Sequence, residues 1–375
     1  MLAMKIIIVG TAHPYRGGLA AFNERLAHEY VQQGHDVEVY TFTLQYPSFL
    51  FPGKTQFTDE EPTHNLTIHR RINSVNPLNW ISVGREIKTK KADKVIFCYW
   101  MAFFAPCFGM IARNCKAENT KCLALVHNMI PHEPTVLDKF FPNYFVNAMD
   151  GFLAMTNSVV DDINKFDKKN KPKTVSPHPV YDHYGKPMAR EEALKELDLD
   201  ADFRYILFFG FVRKYKGLDL LLNAFTDVRL RQFPVKLIVA GEFYESKAPY
   251  LETIRKNALE DNVILHSDFI PDDKVKHYFN GADLVAQTYR SATQSGVSQI
   301  AYNFENPMLV TDVGGLSETI PHGKVGYVVK TDVNAIADAL VDFFENERLE
   351  QFTENVRLEK KKYEWEKMVE AINSL

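Results

Sequence analysis

Short β-branched runs alternate with helix-period segments twice over along this chain, and that repeat constrains its fold more than any other feature. In the first series Lys5 to Val9 reads as a strand, Leu19 to Gln33 as an amphipathic helix followed by a capping Gly34, and Asp36 to Phe42 as the next strand. Trp80 to Lys90 then reads as a helix, Lys94 to Tyr99 and Cys122 to Val126 as strands, and helix-like Tyr144 to Met149 leads into a strand at Gly151 to Met155. Lys165 to Pro187, rich in lysine and proline and without clear periodicity, separates this series from a second one. There the strands are Tyr205 to Phe209, Val235 to Ala240, Val263 to His266, Leu284 to Gln287 and Met308 to Thr311. The helices between them are Leu218 to Thr226, Tyr250 to Leu259, Asp272 to Asn280 and Ser298 to Asn303, with a closing helix near Asn334 to Glu345. Strands alternating with helices build parallel sheets with crossover helices. The chain therefore reads as α/β, two doubly wound Rossmann-like halves, and its 375 residues agree with two lobes. Ligands of such sheets sit beyond the carboxyl ends of the strands, so the loops after the strands are where chemistry is sought.

Composition narrows the partners. At 46% hydrophobic and 25% charged residues, with a formal net charge of -4, the chain has the balance of a soluble globular protein. Nothing in it calls for a polyanion-binding surface, and no nucleic acid partner is expected. Met1 to Gly10 is an apolar run ending at a turn, read as a first strand rather than a leader. The four cysteines, Cys98, Cys107, Cys115 and Cys122, match neither a paired zinc spacing nor a small disulfide scaffold, and reduced, buried thiols of a cytoplasmic protein are expected. Val95 to Ala112 is uncharged and about the minimum length of a spanning helix. Its β-branched and aromatic start, with Pro106 and Gly109 further on, fits a buried strand running into a helix better.

Two loops carry chemistry. GTAHPYRGGLAAF, after the first strand, sets Gly17 and Gly18 immediately before a helix. Such glycines either let a phosphate or developing negative charge approach the helix amides or form a plain strand-to-helix turn. The pattern is not GxGxxG, so a dinucleotide site is not supported. In the second half GFVRKYKGLDLLLNAF places Arg213 and Lys216 three residues apart, bracketed by Gly210 and Gly217 and leading into a helix. Two cations and helix amides there converge on one diphosphate, or else the run is a surface charge cluster. Lys214 between them is expected to face solvent.

The run Gly210 to Phe225, LIVAGE (Leu237 to Glu242), FIPDD (Phe269 to Asp273), ADLVAQTY and PMLVTDVGGLSE (Pro307 to Glu318) together resemble the donor-binding half of family 4 glycosyltransferases. The first half resembles the same family through its GG loop, QYPSFLFPGKTQ (Gln45 to Gln56) and VHNMIPHE (Val126 to Glu133). The resemblance spans nearly the whole chain. It implies a GT-B fold: an acceptor-side domain over 1–180 and a nucleotide-sugar domain over 181–355 facing it across a cleft. A C-terminal helix over 356–375, amphipathic around Trp365, would cross back to the first domain and limit opening to a hinge motion. It also implies transfer with retention of configuration. Arg213 and Lys216 would hold the donor diphosphate as the sugar bond breaks, and His127 would contact the donor sugar. His127 is otherwise a capped loop histidine. Backbone groups near Phe269 and Ile270 would meet the nucleobase, with Glu242 near it. On the acceptor side the candidates are His13, Asn128, His132 and Glu133; the last two either bind acceptor or brace one another. No DxD pair stands in a suitable loop, so metal-independent chemistry is expected, with no cofactor beyond the nucleotide-diphosphate sugar as co-substrate.

One departure from the family stands out. It usually carries two glutamates eight positions apart before a proline-containing strand start. Alignment on Pro307 puts Ala292 and Ile300 there, and a shift by one residue gives Thr293 and Ala301. ATQSGVSQ occupies the region instead, where Gln294, Ser295, Gly296 and Gln299 offer neutral hydrogen bonds to sugar hydroxyls. The expected function is transfer of a sugar to a glycan or lipid-linked acceptor, in surface polysaccharide or glycoconjugate synthesis. Phe49, Leu50 and Phe51 form a loop that either folds back on its own domain or touches a lipid-linked acceptor or the inner face of the membrane. The missing glutamates also admit a non-catalytic nucleotide-sugar-binding subunit, and the architecture a nucleotide-sugar epimerase.

Overall fold

The structure is a computed structural model that describes residues 3–47, 56–58, 64–130, 137–292 and 295–375, without the side chains of 137–139. The chain divides into two compact units, one of residues up to His178 together with Trp365–Leu375, the other Pro179–Glu364. Of the C-terminal stretch, the Leu349–Lys360 helix stays in the second unit, and only the Trp365–Asn373 helix joins the first.

The first unit holds β1 (Lys5–Val9), β2 (Asp36–Leu44), β3 (Thr67–Asn73), β4 (Lys94–Tyr99), β5 (Lys121–Val126), β6 (Gly151–Ala154) and β7 (Lys173–Val175) in one sheet of order β3-β2-β1-β4-β5-β6-β7. The second holds β8 (Arg204–Phe209), β9 (Val235–Ala240), β10 (Val263–His266), β11 (Leu284–Gln287), β12 (Met308–Thr311) and β13 (Gly326–Val329) in the order β10-β9-β8-β11-β12-β13. Every ladder is parallel. Helices cover both faces of such a sheet, which is why β4 is buried along its whole length and why its sequence is almost entirely apolar. The stretch from Val95 to Ala112 is this strand followed by the Ala105–Cys115 helix. No described helix is long and apolar enough to cross a membrane. All four cysteines are buried and free, with the Cys115 and Cys122 sulfurs 3.6 Å apart.

In each sheet the strand order reverses once, between β1 and β4 and between β8 and β11. The loops after these strands flank the reversal points where open α/β sheets bind ligands.

Two polar networks fix the strands. Asp283, its side chain 1% exposed, begins β11 by accepting from Arg190 Nη2 and Arg204 Nη1 at 3.0 Å each and from the Tyr205 amide at 2.7 Å. On β2, Glu38 meets Lys5 Nζ and His69 Nε2 at 2.7 Å and Lys90 Nζ at 2.8 Å. Burial opposes the charged carboxylate, but hydrogen bonds from Lys5, Lys90 and His69 outweigh it and bring its pKa down to about 2. Because the folded value lies below the ordinary 4.5, this contribution is full above pH 4.5 and is lost as pH falls towards about 2. Urea melts over that window should show a shallower acid decline for Glu38→Gln than for wild type; parallel curves would remove Glu38 from the acid response.

The Trp365–Asn373 helix completes the core of the first unit. Trp365, Met368, Val369 and Ile372 pack with Phe22, Leu26 and Tyr30 of the Gly18–Gln32 helix. Arg25 stacks over Trp365 at 5.1 Å, and Lys94 Nζ donates to the Ile372 and Asn373 carbonyls at 3.1 and 3.2 Å.

Candidate functional site

In the first unit the β1 loop runs past its strand end and turns into the Gly18–Gln32 helix at Gly17, which caps it without any side-chain bond. Gly17 and Gly18 are exposed with nothing within 4 Å of an added Cβ, and the Ala20 and Ala21 amides turn back to the Gly17 carbonyl at 3.0 and 3.2 Å. His13 lies in the same loop, and its amide donates to Glu24 Oε1 at 2.7 Å. Glu24 is buried, and burial pushes its carboxyl above the usual range. Beneath the loop Asn23 Nδ2 donates to the Thr11 carbonyl at 2.8 Å. This buried support was missed from sequence, because helix periodicity treats Asn23 and Glu24 as surface positions.

His127 follows β5, its amide bonded to the Tyr99 carbonyl at 2.8 Å. Phe22 meets both the His127 ring, at 4.8 Å, and the His178 ring, at 5.0 Å. Burial, with the neighbouring His178, drives the His127 pKa down to about 3. The imidazole is neutral at physiological pH, and its buried Nε2 has no hydrogen-bond partner among the described residues. A neutral ring in this state accepts from or donates to a hydroxyl without carrying charge. Asn128 follows it, partly exposed. His132, Glu133 and the Phe49 to Phe51 loop lie outside the described residues.

In the second unit the β8 loop is a rigid cation holder. Lys214–Lys216 form a short 3-10 turn closed by the Lys216 amide on the Arg213 carbonyl at 2.8 Å. Three arms hold it. Glu245 accepts from the Lys214 amide at 3.0 Å and also from the Tyr250 hydroxyl. Arg290 donates to the Lys214 carbonyl at 3.0 Å while pairing with Asp219 at 2.6 Å. Thr288 Oγ1 donates to the Gly217 carbonyl at 2.8 Å. Gly217 itself, at φ +66°, would carry a Cβ 2.0 Å from the Thr288 carbonyl oxygen, so glycine alone lets the two loops approach this closely. None of these arms was legible, since their partners lie far apart in the chain.

Held in this way, Arg213 and Lys216 have no carboxylate partner among the described residues. Arg213 instead rests over the Tyr244 ring at 4.7 Å, and Lys216 Nζ lies 5.4 Å from the Tyr289 ring centroid. Burial, and then the Arg213 charge, lower the Lys216 pKa to about 8. A Cβ on Gly210 would stand 3.1 Å from this ammonium and 3.9 Å from Val297. Gly210, Lys216 and the start of the Gly296–Asn303 helix are thus neighbours. Ser295 precedes that helix without capping it, its Oγ 3.4 Å from the Tyr289 hydroxyl, and the Tyr181 ring packs against Gly296. Gln299 is buried inside the helix with Oε1 unpartnered among the described residues. Gln294 lies outside the described residues. Glu242 is exposed and its carbonyl accepts from the Val212 amide at 2.8 Å; Phe269 is 60% exposed, and Ile270 packs partly against the core. No cluster of three or more metal-ligating side chains is found among the described residues.

Known proteins resemble this chain in sequence and fold. Residues 16–182 match the family described as Glycosyltransferase Family 4, and residues 203–346 the family described as Glycosyl transferases group 1. An uncharacterized glycosyltransferase of Methanocaldococcus jannaschii is 22% identical over 100% of this chain and 98% of its own length. The N-acetyl-alpha-D-glucosaminyl L-malate synthase of Bacillus anthracis is 20% identical over 92% of this chain and 89% of its own. The structure of Anabaena HepE in complex with UDP superposes with a TM-score of 0.70 at 15% identity, covering 99% of this chain and 100% of that one. Two all-parallel, doubly wound units with these relatives define the GT-B class of glycosyltransferases. Within that class the two matches together run over most of the chain, the first of them to family 4.

Proposed function

We propose that this protein moves a sugar, with retention of configuration, from a nucleotide-diphosphate sugar bound by the second unit to a glycan or lipid-linked acceptor bound by the first. The observation that carries the reading is the pair Arg213 and Lys216, preorganised by three arms and left without a carboxylate among the described residues. Two unpaired cations, one with its charge already made costly by burial, gain most from a dianionic diphosphate. That HepE was solved with UDP supports a nucleotide donor of this kind.

The chemistry follows from charge. As the bond from the anomeric carbon to the diphosphate oxygen breaks, negative charge grows on the leaving diphosphate, and Arg213 and Lys216 stabilise it where it develops. The acceptor hydroxyl attacks the anomeric carbon on the face the diphosphate leaves, and its proton passes to the departing phosphate oxygen. No separate base and no metal is needed in this scheme. His127, neutral and with Nε2 unpartnered among the described residues, is assigned to a donor-sugar hydroxyl. Ser295 and Gly296 are assigned to the donor beside Lys216; Gln294 and Gln299 share this assignment on their sequence alone. Work at the cytoplasmic side of the membrane belongs to the same proposal.

A thermal-shift screen of nucleoside diphosphates and their sugars tests it. A ligand at a hundredfold its Kd stabilises by about 2.7 kcal/mol, or about 5 to 10 °C for a unit of this size. No shift with any of them would defeat the donor reading. Product analysis with a shifting donor then separates transfer from binding without turnover.

A further inference from the structure

Among the described residues of the second unit, the phenylalanines and tyrosines left exposed are Phe211 at 39%, Tyr215 at 43%, Tyr244 at 49% and Phe269 at 60%. All four lie in loops leaving the carboxyl ends of three adjacent strands, β8, β9 and β10. Large rings exposed by chance would scatter over the surface. Exposed apolar side chains gathered in one place mark a binding site.

Phe211 and Tyr244 are built as a pair. Beyond the sheet, the Val212 amide donates to the Glu242 carbonyl at 2.8 Å and the Tyr244 amide to the Val212 carbonyl at 3.1 Å, with Val212 and Phe243 bridged in parallel. Val212 is fully buried, so Phe211 and Arg213, its neighbours in an extended segment, project to the opposite side. There the Phe211 and Tyr244 rings stack with centroids 4.4 Å apart and planes 26° from parallel, and the Arg213 guanidinium lies on Tyr244 at 4.7 Å. The result is an aromatic step, open to solvent, joined directly to a cation that has no carboxylate among the described residues.

We propose that Phe211 and Tyr244 form the stacking platform for the base of the nucleoside diphosphate whose phosphates Arg213 and Lys216 hold; this rests on the donor reading given above. The ligand this site suits has a flat π-face at one end and two phosphates at the other. A nucleoside diphosphate has both, linked through its ribose. Recognition by ring face works for any base, because every base has such a face. The platform therefore supplies affinity, and discrimination between bases falls to the groups that meet base edges.

Calorimetric titration with UDP, GDP and inorganic pyrophosphate separates platform from cations. Phe211→Ala should weaken both nucleoside diphosphates by about ten- to a hundredfold, the ordinary worth of one base stacked on an aromatic ring, and leave pyrophosphate unchanged. Tyr244→Ala should weaken UDP and GDP more than it weakens pyrophosphate, and Tyr244→Phe should bind as wild type does. Unchanged UDP affinity in Phe211→Ala would overturn the platform, and so would equal losses for UDP and pyrophosphate in both alanine variants, which would reduce the rings to supports for Arg213. Wild-type protein that binds neither UDP nor pyrophosphate would overturn the donor reading itself, a result distinct from the other two.

Discussion

Replacing Lys216 with alanine is expected to lower kcat by about a hundred- to a thousandfold, the usual cost of removing one preorganised donor from a developing oxyanion. The side chain makes no ion pair among the described residues whose loss would unsettle the fold, and the loop around it is held through backbone groups of Lys214 and Gly217 rather than through its ammonium. Folding should therefore survive while transfer fails. Arg213→Ala should behave alike but more mildly, because the Arg213 side chain is exposed and Lys216 is the more buried of the two cations. The pH dependence has a definite sign. In the free protein Lys216 loses its proton above about pH 8, so donor affinity should fall as pH rises through that value, and binding there should take up a proton. Lys216→Arg should abolish that alkaline loss, since a guanidinium stays charged. Turnover and donor affinity near wild type in both alanine variants would sink the assignment.

Asp283→Ala is expected to cost about 3 kcal/mol of unfolding free energy, near the lower end of the range for breaking a buried charge network. The carboxylate collects two arginines and the Tyr205 amide at the start of β11. Its removal strands the buried amide and leaves Arg190, whose Nε already has no partner among the described residues, without its main counterion. Arg204 is half exposed and rehydrates, which keeps the loss from the top of the range. Urea unfolding at neutral pH measures it, with Asp283→Asn as the milder comparison because it keeps an acceptor for the amide. A loss under about 1 kcal/mol would show that solvent replaces the network.

Both of these residues bear on what can be read from a chain of this kind. The inner strands were legible because a strand covered on both faces is a nearly unbroken apolar run. Lys5 to Val9, Lys94 to Tyr99, Val235 to Ala240, Leu284 to Gln287 and Met308 to Thr311 read with the ends the structure shows, as does the outermost Val263 to His266, whose run is apolar up to its last residue. The strands not read, Thr67–Asn73, Lys173–Val175 and Gly326–Val329, are all outermost in their sheets. An edge strand faces solvent along one side and tolerates charge, and TIHRRIN has no apolar run to find. The Asn157–Phe166 and Arg190–Glu196 helices were hidden at either end of the lysine- and proline-rich segment. In the site, Arg213 and Lys216 announced themselves through glycines beside them. The Asp219 to Arg290 clamp, the Phe211 to Tyr244 stack and Asp283 depend on partners tens of residues away, and only the fold brings those together.

The Trp365–Asn373 helix has a consequence for how the protein is made. Most of the first unit leaves the ribosome before the second, yet Trp365, Met368, Val369 and Ile372, which pack with Phe22, Leu26 and Tyr30, are translated only after the whole second unit. The second unit is one continuous stretch, Pro179–Glu364, and can close as soon as it emerges. Until the Trp365–Asn373 helix is released, Phe22, Leu26 and Tyr30 lack part of their cover, and the half begun earlier is completed after the half that follows it.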